Sequence, residues 1–469
     1  MKISSMPYQP EFRTHTCPEA ETLHAISEAI LLPGRLSMQL LARSIHPLPG
    51  KNKDSYLLGL AIRVATLAAF TLMMPLALTT TIIGFSLRCI DHCYRPQISY
   101  INCAKTAPPP LLLTKENPLS VRTHNLGFVS SSMSVLGDLR PPEERAKEVV
   151  QSIIGDPHKP DIIFFQEAFH EDATRILCEG IKEEYPYIIH NVRPHLSGFS
   201  SGTLVASKYP PKEVEFEQFS EFLGPEALTP RGIARVELES TQGPLFIYGV
   251  HTQALNGEER AASRIRQIDE LQEMIAKDRG IQVVCGDFNT SRISIWGDDN
   301  AEPKNQAEVK VLERFSSYFN DLFLKDHDEK TGQRISGTPK YLAADNARMN
   351  EELSEPSGSW YYGPLADKGF ILYWKLHFDR LLFGRDTPTK LPNIGEEPSG
   401  WGTNRWHAKQ IANTARLDYI LLPKNSQNLD GRVEIRRTIV PKDAQSSSSD
   451  HLPVDGRVWV VNHDASRCF

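Results

Sequence analysis

Hydrophobic and polar positions divide the chain into two unlike parts. From Leu119 onward, short apolar runs closed by turn residues recur: VRTHNLGFV, DIIFFQE, SGTLVAS, GIARVEL, LFIYGVHT, QVVCGDF, LDYILL and RVWVV, each with the length and makeup of a β-strand. Helical patterns fall between them at PPEERAKEVVQSII, with proline in its first turn, and at GEERAASRIRQIDELQEMIA, where Ile265, Ile268, Leu271 and Ile275 recur at helical spacing. The alternation is irregular and no repeat of fixed period is visible. This predicts an α/β (α+β) domain of several layers over residues 119–461.

The N-terminal part is different. Between Arg63 and Arg88 lie 24 uncharged residues, VATLAAFTLMMPLALTTTIIGFSL. As a helix they extend about 36 Å, enough for a hydrocarbon core of about 30 Å with some tilt. Residues 57–90 are therefore expected to form a membrane segment, either a kinked span or a shallow hairpin around Pro75, with the buried helix of a soluble domain as the alternative. Positive charges balance on its two sides, so orientation stays open. Residues 1–56 are expected to be a cytosolic region, disordered or helical, without the features of a cleaved signal peptide. Cys89 and Cys93, just beyond the apolar run, stand where cysteines are acylated. Residues 91–118, ending in the proline-rich CAKTAPPPLLLTKENP, read as a linker.

Composition changes this picture little. With 469 residues the chain has room for one large core or two ordinary ones. A formal charge of −6, with Lys and Arg scattered, leaves no long basic block and disfavours a nucleic-acid partner. The seven cysteines are widely spaced, with neither a disulfide framework nor a zinc-ligand pattern.

The strand ends carry the candidate chemistry. VVCGDFN runs from buried apolar residues straight into Asp287 and Asn289, which alternation puts on one side, while Phe288 turns into the core and Gly286 frees the backbone to turn. Four other ends repeat the anomaly: Asn125 in VRTHNLG; Gln166 and Glu167 in DIIFFQE; His251 in LFIYGVHT; and Asp450 and His451 in SSDHLPV. Each has an ordinary structural explanation singly; together they point to one pocket. Carboxylate and amide oxygens without clustered Cys or His favour Mg²⁺ or Mn²⁺ over zinc. No serine-nucleophile motif, P-loop or dinucleotide fingerprint is present. A hard cation, a histidine to take a proton from water and amides to hold a phosphate describe phosphate-ester hydrolysis. Asp418, in RLDYILL, is a further carboxylate suited to orienting the histidine base.

The ordered set Asn125, Gln166-Glu167, His251, Gly286-Asp287-Phe288-Asn289, Leu417-Asp418-Tyr419 and Ser449-Asp450-His451 resembles the endonuclease/exonuclease/phosphatase (DNase I-like) superfamily of Mg²⁺-dependent phosphoesterases. The resemblance implies a two-sheet β-sandwich flanked by helices, with the site at one edge. It also implies roles: Glu167 as principal metal ligand with Asn125 beside it, and Asp450 completing the metal-side network. Asp287 would orient the attacking water, Asn289 hold the phosphate, His251 stabilise charge on the phosphoryl oxygens, His451 act as general base and Asp418 orient it.

The flanks bear on the substrate. The tryptophan-containing motifs of inositol phosphatases are absent, whereas GVHTQALNGEERAASRIRQIDEL, SGTLVASKYP, Arg231 and Gly232 are similar to the neutral sphingomyelinase branch. One departure is Gln253, where animal members often carry a second histidine. The expectation is a membrane-associated phosphodiesterase acting on a membrane lipid, sphingomyelin, to release phosphocholine and leave ceramide. A nuclease or RNA deadenylase of the same superfamily is the alternative, followed by an inactive binding protein. The aromatic stretch 369–384, with Lys375 and Arg380, and Trp360 to Tyr362 read either as an interfacial element or as additional core.

Overall fold

The computed structural model describes residues 11–45, 53–106, 108–136, 140–195, 198–254, 257–290, 306–325, 418–426, 428–435 and 453–461. Among these residues, two mixed sheets stack face to face with helices outside each. The strands in chain order are β1 Ser99–Asn102, β2 Leu119–Asn125, β3 Ile162–Gln166, β4 Tyr187–His190, β5 Leu204–Ser207, β6 Glu213–Gln218 and β7 Gly232–Ser240. They continue with β8 Gly243–His251, β9 Ile281–Asp287, β10 Phe319–Asp321, β11 Asp418–Pro423, β12 Leu429–Ile435 and β13 Val454–Val460. The helices are α1 Pro18–Ile45, α2 Lys53–His92, α3 Ser131–Leu136, α4 Pro142–Gly155, α5 Glu171–Ile181, α6 Glu258–Lys277 and α7 Gln306–Tyr318. One sheet runs β1-β4-β5-β3-β2-β13-β12, the other β10-β11-β9-β8-β7-β6.

Strand alternation builds the layers. Val121, Ile162, Phe164, Leu245, Ile247, Val283, Cys285, Ile420 and Leu422 face inward and form the core between the sheets. The intervening Ile163 and Phe165 pack under α4 and α5 through Val149, Ile153, Leu177 and Ile181. On the other side Tyr248, Val284 and Tyr419 pack under α6 and α7. This is why the strand motifs read as almost continuously apolar: both faces are covered.

Each sheet contains a parallel pair joined through a helix. β2 and β3 pair in parallel around α4, with Asn125 opposite Gln166, and β8 and β9 pair in parallel around α6, with His251 opposite Asp287. Such crossovers bring strand C-termini to one edge, so the polar strand ends gather there.

One reading changes. The proposed linker over 91–118 is partly built into the sandwich. β1 pairs with β4, Leu111 bridges to Ser240, and Leu111 and Leu113 are buried. Its apolar LLL run, placed after three prolines, fills the core edge instead of spacing two units. The N-terminal region is helical from Pro18, and α1 lies antiparallel along α2, with Gly34 against Thr81 and Gly84 against Leu31. α2 continues through Pro75 as one helix, in which the Thr79 hydroxyl donates to the Pro75 carbonyl at 3.0 Å.

Candidate active site

The site is the polar end of the inter-sheet core. Asn125, His251, Asp287 and Asp418 occupy the same alternation as Val121, Ile247, Cys285 and Ile420, so each is the inward position at one edge of the sandwich, the last of β2, β8 and β9 and the first of the antiparallel β11. All four are buried. Asp418 stands opposite Asp287 in the antiparallel β9–β11 register, which sets two carboxylates side by side on one face.

Asn125 ties the group together. Its amide nitrogen donates to Glu167 Oε1 at 3.1 Å and to Asp287 Oδ2 at 2.9 Å, while Gly127 N–H donates to its oxygen at 3.0 Å and sets the amide's orientation. His251 Nε2 lies 3.6 Å from Glu167 Oε1 and 3.7 Å from Asp287 Oδ2. Asp287 Oδ1 in turn accepts from the backbone N–H of Asn289 at 2.8 Å.

Two of these residues reach the site through unusual backbone. Glu167 follows β3, where alternation would send it outward with Ile163 and Phe165; its φ of 57° turns it back towards Asn125. Asn289 has φ 47° and its side-chain amide donates to the Thr252 carbonyl at 3.1 Å. Asp287 and Asn289 thus meet through an Asx-type turn rather than as neighbours on an extended strand. Gly286 sits between them and β8 with φ 142°, and a Cβ there would come 2.1 Å from the Val250 carbonyl oxygen. Only glycine permits that approach.

The structure adds residues that the strand-end pattern did not reveal. Arg231 Nη1 lies 3.1 Å from His251 Nε2 and 2.8 Å from Glu226 Oε1, and its guanidinium is 5.8 Å from the Phe169 ring. Phe169 meets Phe199 edge to face at 5.9 Å. Arg231 just ahead of β7 had a sequence signal only in its resemblance to the sphingomyelinase branch. Gln253 is a scaffold residue: its side chain bonds Glu226, accepts from Leu223 N–H at 2.8 Å, and its backbone carbonyl accepts from buried Arg264 at 3.0 Å. Gln267, one turn further along α6, accepts from Gln253 N–H at 2.8 Å and donates to the Glu221 carbonyl at 2.8 Å. The Arg- and Gln-bearing helix thus clamps the loops beside His251.

The donor set suits a hard dication. Glu167 and Asp287, joined through the Asn125 amide, bring carboxylate oxygens together at the strand ends, and oxygen donors of this kind match Mg²⁺ or Mn²⁺. Asp450, His451, the stretch 369–384 and Trp360 to Tyr362 lie outside the described residues.

Residues 123–451 match the Endonuclease/Exonuclease/phosphatase family, a span that contains every predicted site residue. The chain belongs to that family. Among its relatives, it is 26% identical over 211 residues to Sphingomyelinase C of Leptospira interrogans, covering 40% of this chain and 37% of the relative. It is 25% identical over 297 residues to human Sphingomyelin phosphodiesterase 3, covering 52% of this chain and 44% of the relative. The matched stretches thus span less than half of these relatives. Among solved structures, it is similar to a beta toxin variant of Staphylococcus aureus determined with bound magnesium ions, at 18% identity and a TM-score of 0.45, covering 72% of this chain and 99% of that one.

Proposed function

We propose that the protein is a membrane-associated, Mg²⁺-dependent phosphodiesterase that hydrolyses sphingomyelin to ceramide and phosphocholine. The observation that carries this reading is the convergence of Glu167, Asp287 and His251 around the Asn125 amide at the end of the inter-sheet core. Glu167, with Asp450, would hold the cation, and Asn125, whose amide nitrogen faces the carboxylates, positions Glu167 by donating to Oε1 instead of ligating as the resemblance implied. A bound divalent ion supplies Lewis-acid polarisation of a phosphoryl oxygen.

The chain's own groups do the remaining work. Asp287, held by Asn125 and by the Asn289 N–H, orients the attacking water. His251, next to the Arg231 guanidinium, and Asn289 bind the phosphoryl oxygens and stabilise charge that develops there. His451 takes the proton from water and Asp418 orients it, as the acid of a triad orients its histidine.

The sphingomyelinase relatives support the lipid substrate, and the apolar helix supports a membrane location. Ala61–His92 contains an 18-residue window of mean hydropathy 1.8, and Leu72 is 82% exposed, with Leu76, Leu78 and Ile82 also exposed. A helix bearing such a surface is stabilised by hydrocarbon.

The test is phosphocholine release from sphingomyelin vesicles by the full chain, with Mg²⁺ and then with EDTA, beside Asp287→Ala, His451→Ala and a parallel DNA digest. Metal-dependent release lost in both variants is the expected result. Metal-dependent DNA cleavage without phosphocholine release would overturn the substrate and favour the nuclease alternative.

A further inference from the structure

Arg145 of α4 is fully buried, and its guanidinium is directed at the backbone that follows Asn125. Nη1 donates to the Leu126 carbonyl at 2.8 Å, Nη2 to the Gly127 carbonyl at 2.5 Å and Nε to the Arg140 carbonyl at 3.0 Å. The same group lies 5.4 Å from the centroid of the Phe128 ring. The turn is also stitched to the end of β3 and the start of α5. Leu126 N–H donates to the Gln166 carbonyl at 3.0 Å, and His170 N–H to the Phe128 carbonyl at 2.8 Å.

The Leu126 carbonyl and the Gly127 N–H are opposite ends of one planar trans peptide. Arg145 holds the carbonyl end, and the N–H end donates to Asn125 Oδ1 at 3.0 Å. Gly127 has φ 57°, a left-handed turn in which two successive carbonyls meet one guanidinium. With its oxygen engaged, the Asn125 amide presents its nitrogen to Glu167 Oε1 and Asp287 Oδ2. A flipped amide would set its oxygen against two carboxylates and leave the Gly127 N–H without that acceptor. The orientation of the amide, and with it the placement of both carboxylates, follows from the plane of a single peptide.

We propose that Arg145 is a positioning residue of the active site, acting through the Leu126–Gly127 peptide and the Asn125 amide on Glu167 and Asp287. It works at a remove, as the outer partners of a metal site do, by fixing the groups that face the cation. The guanidinium is suited to this because its donors form a rigid planar fork that grips adjacent carbonyls at once, whereas a lysine ammonium is a point charge on a flexible stem. The role rests on the reading of the strand ends as a metal-dependent hydrolytic site.

The experiment is a double-mutant cycle in the full chain between Arg145→Lys and Asn125→Ala, with Arg145→Gln as a second variant at the first position. Mn²⁺ affinity is read from the EPR signal of the free ion, kcat and KM from phosphocholine release, and the folded fraction from near-UV circular dichroism. Arg145→Lys is expected to lower kcat and Mn²⁺ affinity by about 10–100-fold with KM for sphingomyelin unchanged. In the Asn125→Ala background the same substitution is expected to change Mn²⁺ affinity by less than about twofold, because the link it acts through is already cut. Losses that multiply in the double variant would overturn the role, as would a lowered Tm with kcat and Mn²⁺ affinity intact. Failure of both Arg145 variants to fold would assign the guanidinium to the core and overturn it too. Failure of the underlying reading is distinguishable, since it shows in the unsubstituted chain as neither Mn²⁺ binding nor phosphocholine release, and it overturns this role with it.

Discussion

Glu167 is a non-glycine residue with φ 57°, and its carboxylate shares one amide donor with Asp287. A left-handed backbone of this kind costs about 1–3 kcal/mol, and like charges placed together add to it. Glu167→Gly is therefore expected to raise stability in metal-free buffer by about 1 kcal/mol while abolishing phosphocholine release. Urea denaturation beside the activity assay reads both, and a loss of stability would contradict the strain. Gly286 poses the opposite case. Gly286→Ala forces a Cβ against the Val250 carbonyl at a φ that L side chains rarely adopt, and is expected to cost about 2–4 kcal/mol, read as a drop in Tm.

At the scale of elements, two buried ion pairs fasten helices and strands together. Arg122 of β2 donates through Nε to Asp455 of β13 at 2.5 Å and through Nη2 to Asp156, the C-cap of α4, at 2.6 Å. Arg122→Met leaves both carboxylates facing an apolar group and is expected to cost about 3–5 kcal/mol, measurable by thermal unfolding. Asp278, which caps α6, accepts from Arg235 Nε of β7 at 2.6 Å and from the Tyr248 hydroxyl of β8 at 2.5 Å. Burial alone would raise the Asp278 pKa, but these two donors outweigh it and hold the carboxyl below its ordinary value. A depressed carboxyl contributes stability above its unfolded pKa of about 3.9, and that contribution disappears as pH falls through the folded value. Asp278→Asn should accordingly lower stability at pH 7 by about 2 kcal/mol and flatten the acid limb of the stability profile. An unchanged acid limb would place the titration elsewhere.

For the whole molecule, α2 joins a catalytic sandwich to an apolar surface. The full chain is expected to float with phosphatidylcholine–sphingomyelin vesicles on a density gradient. Leu72→Glu with Leu76→Glu puts charge into the apolar stretch, at about 2.5–3.5 kcal/mol for each residue at the centre of a membrane helix, and should move the protein to the soluble fraction. Flotation unchanged by the pair would assign vesicle binding to another surface.

Four residues of the candidate site were legible as a cluster because strand alternation is local. Asn125, His251, Asp287 and Asp418 stand at the same parity as the core residues of their own strands, so a polar residue there had to be satisfied at the rim of the inter-sheet layer. The motifs also determined eight of the strands (β2, β3, β5, β7, β8, β9, β11 and β13), α4, α6 and the family, because buried apolar runs, a proline at a helix start and a 3.6-residue period need only near neighbours. Tertiary structure decided the rest. Glu167 and Asn289 enter the cluster through positive φ, which alternation cannot anticipate. Arg231 meets His251, and Glu226 meets Arg231, only because β7 lies beside β8 and the preceding loop folds over them. The helical pair is fastened through His15, His24, Asp91 and Glu171, residues up to 156 positions apart along the chain (171 − 15 = 156), and no sequence window contains the partners whose charges decide that contact.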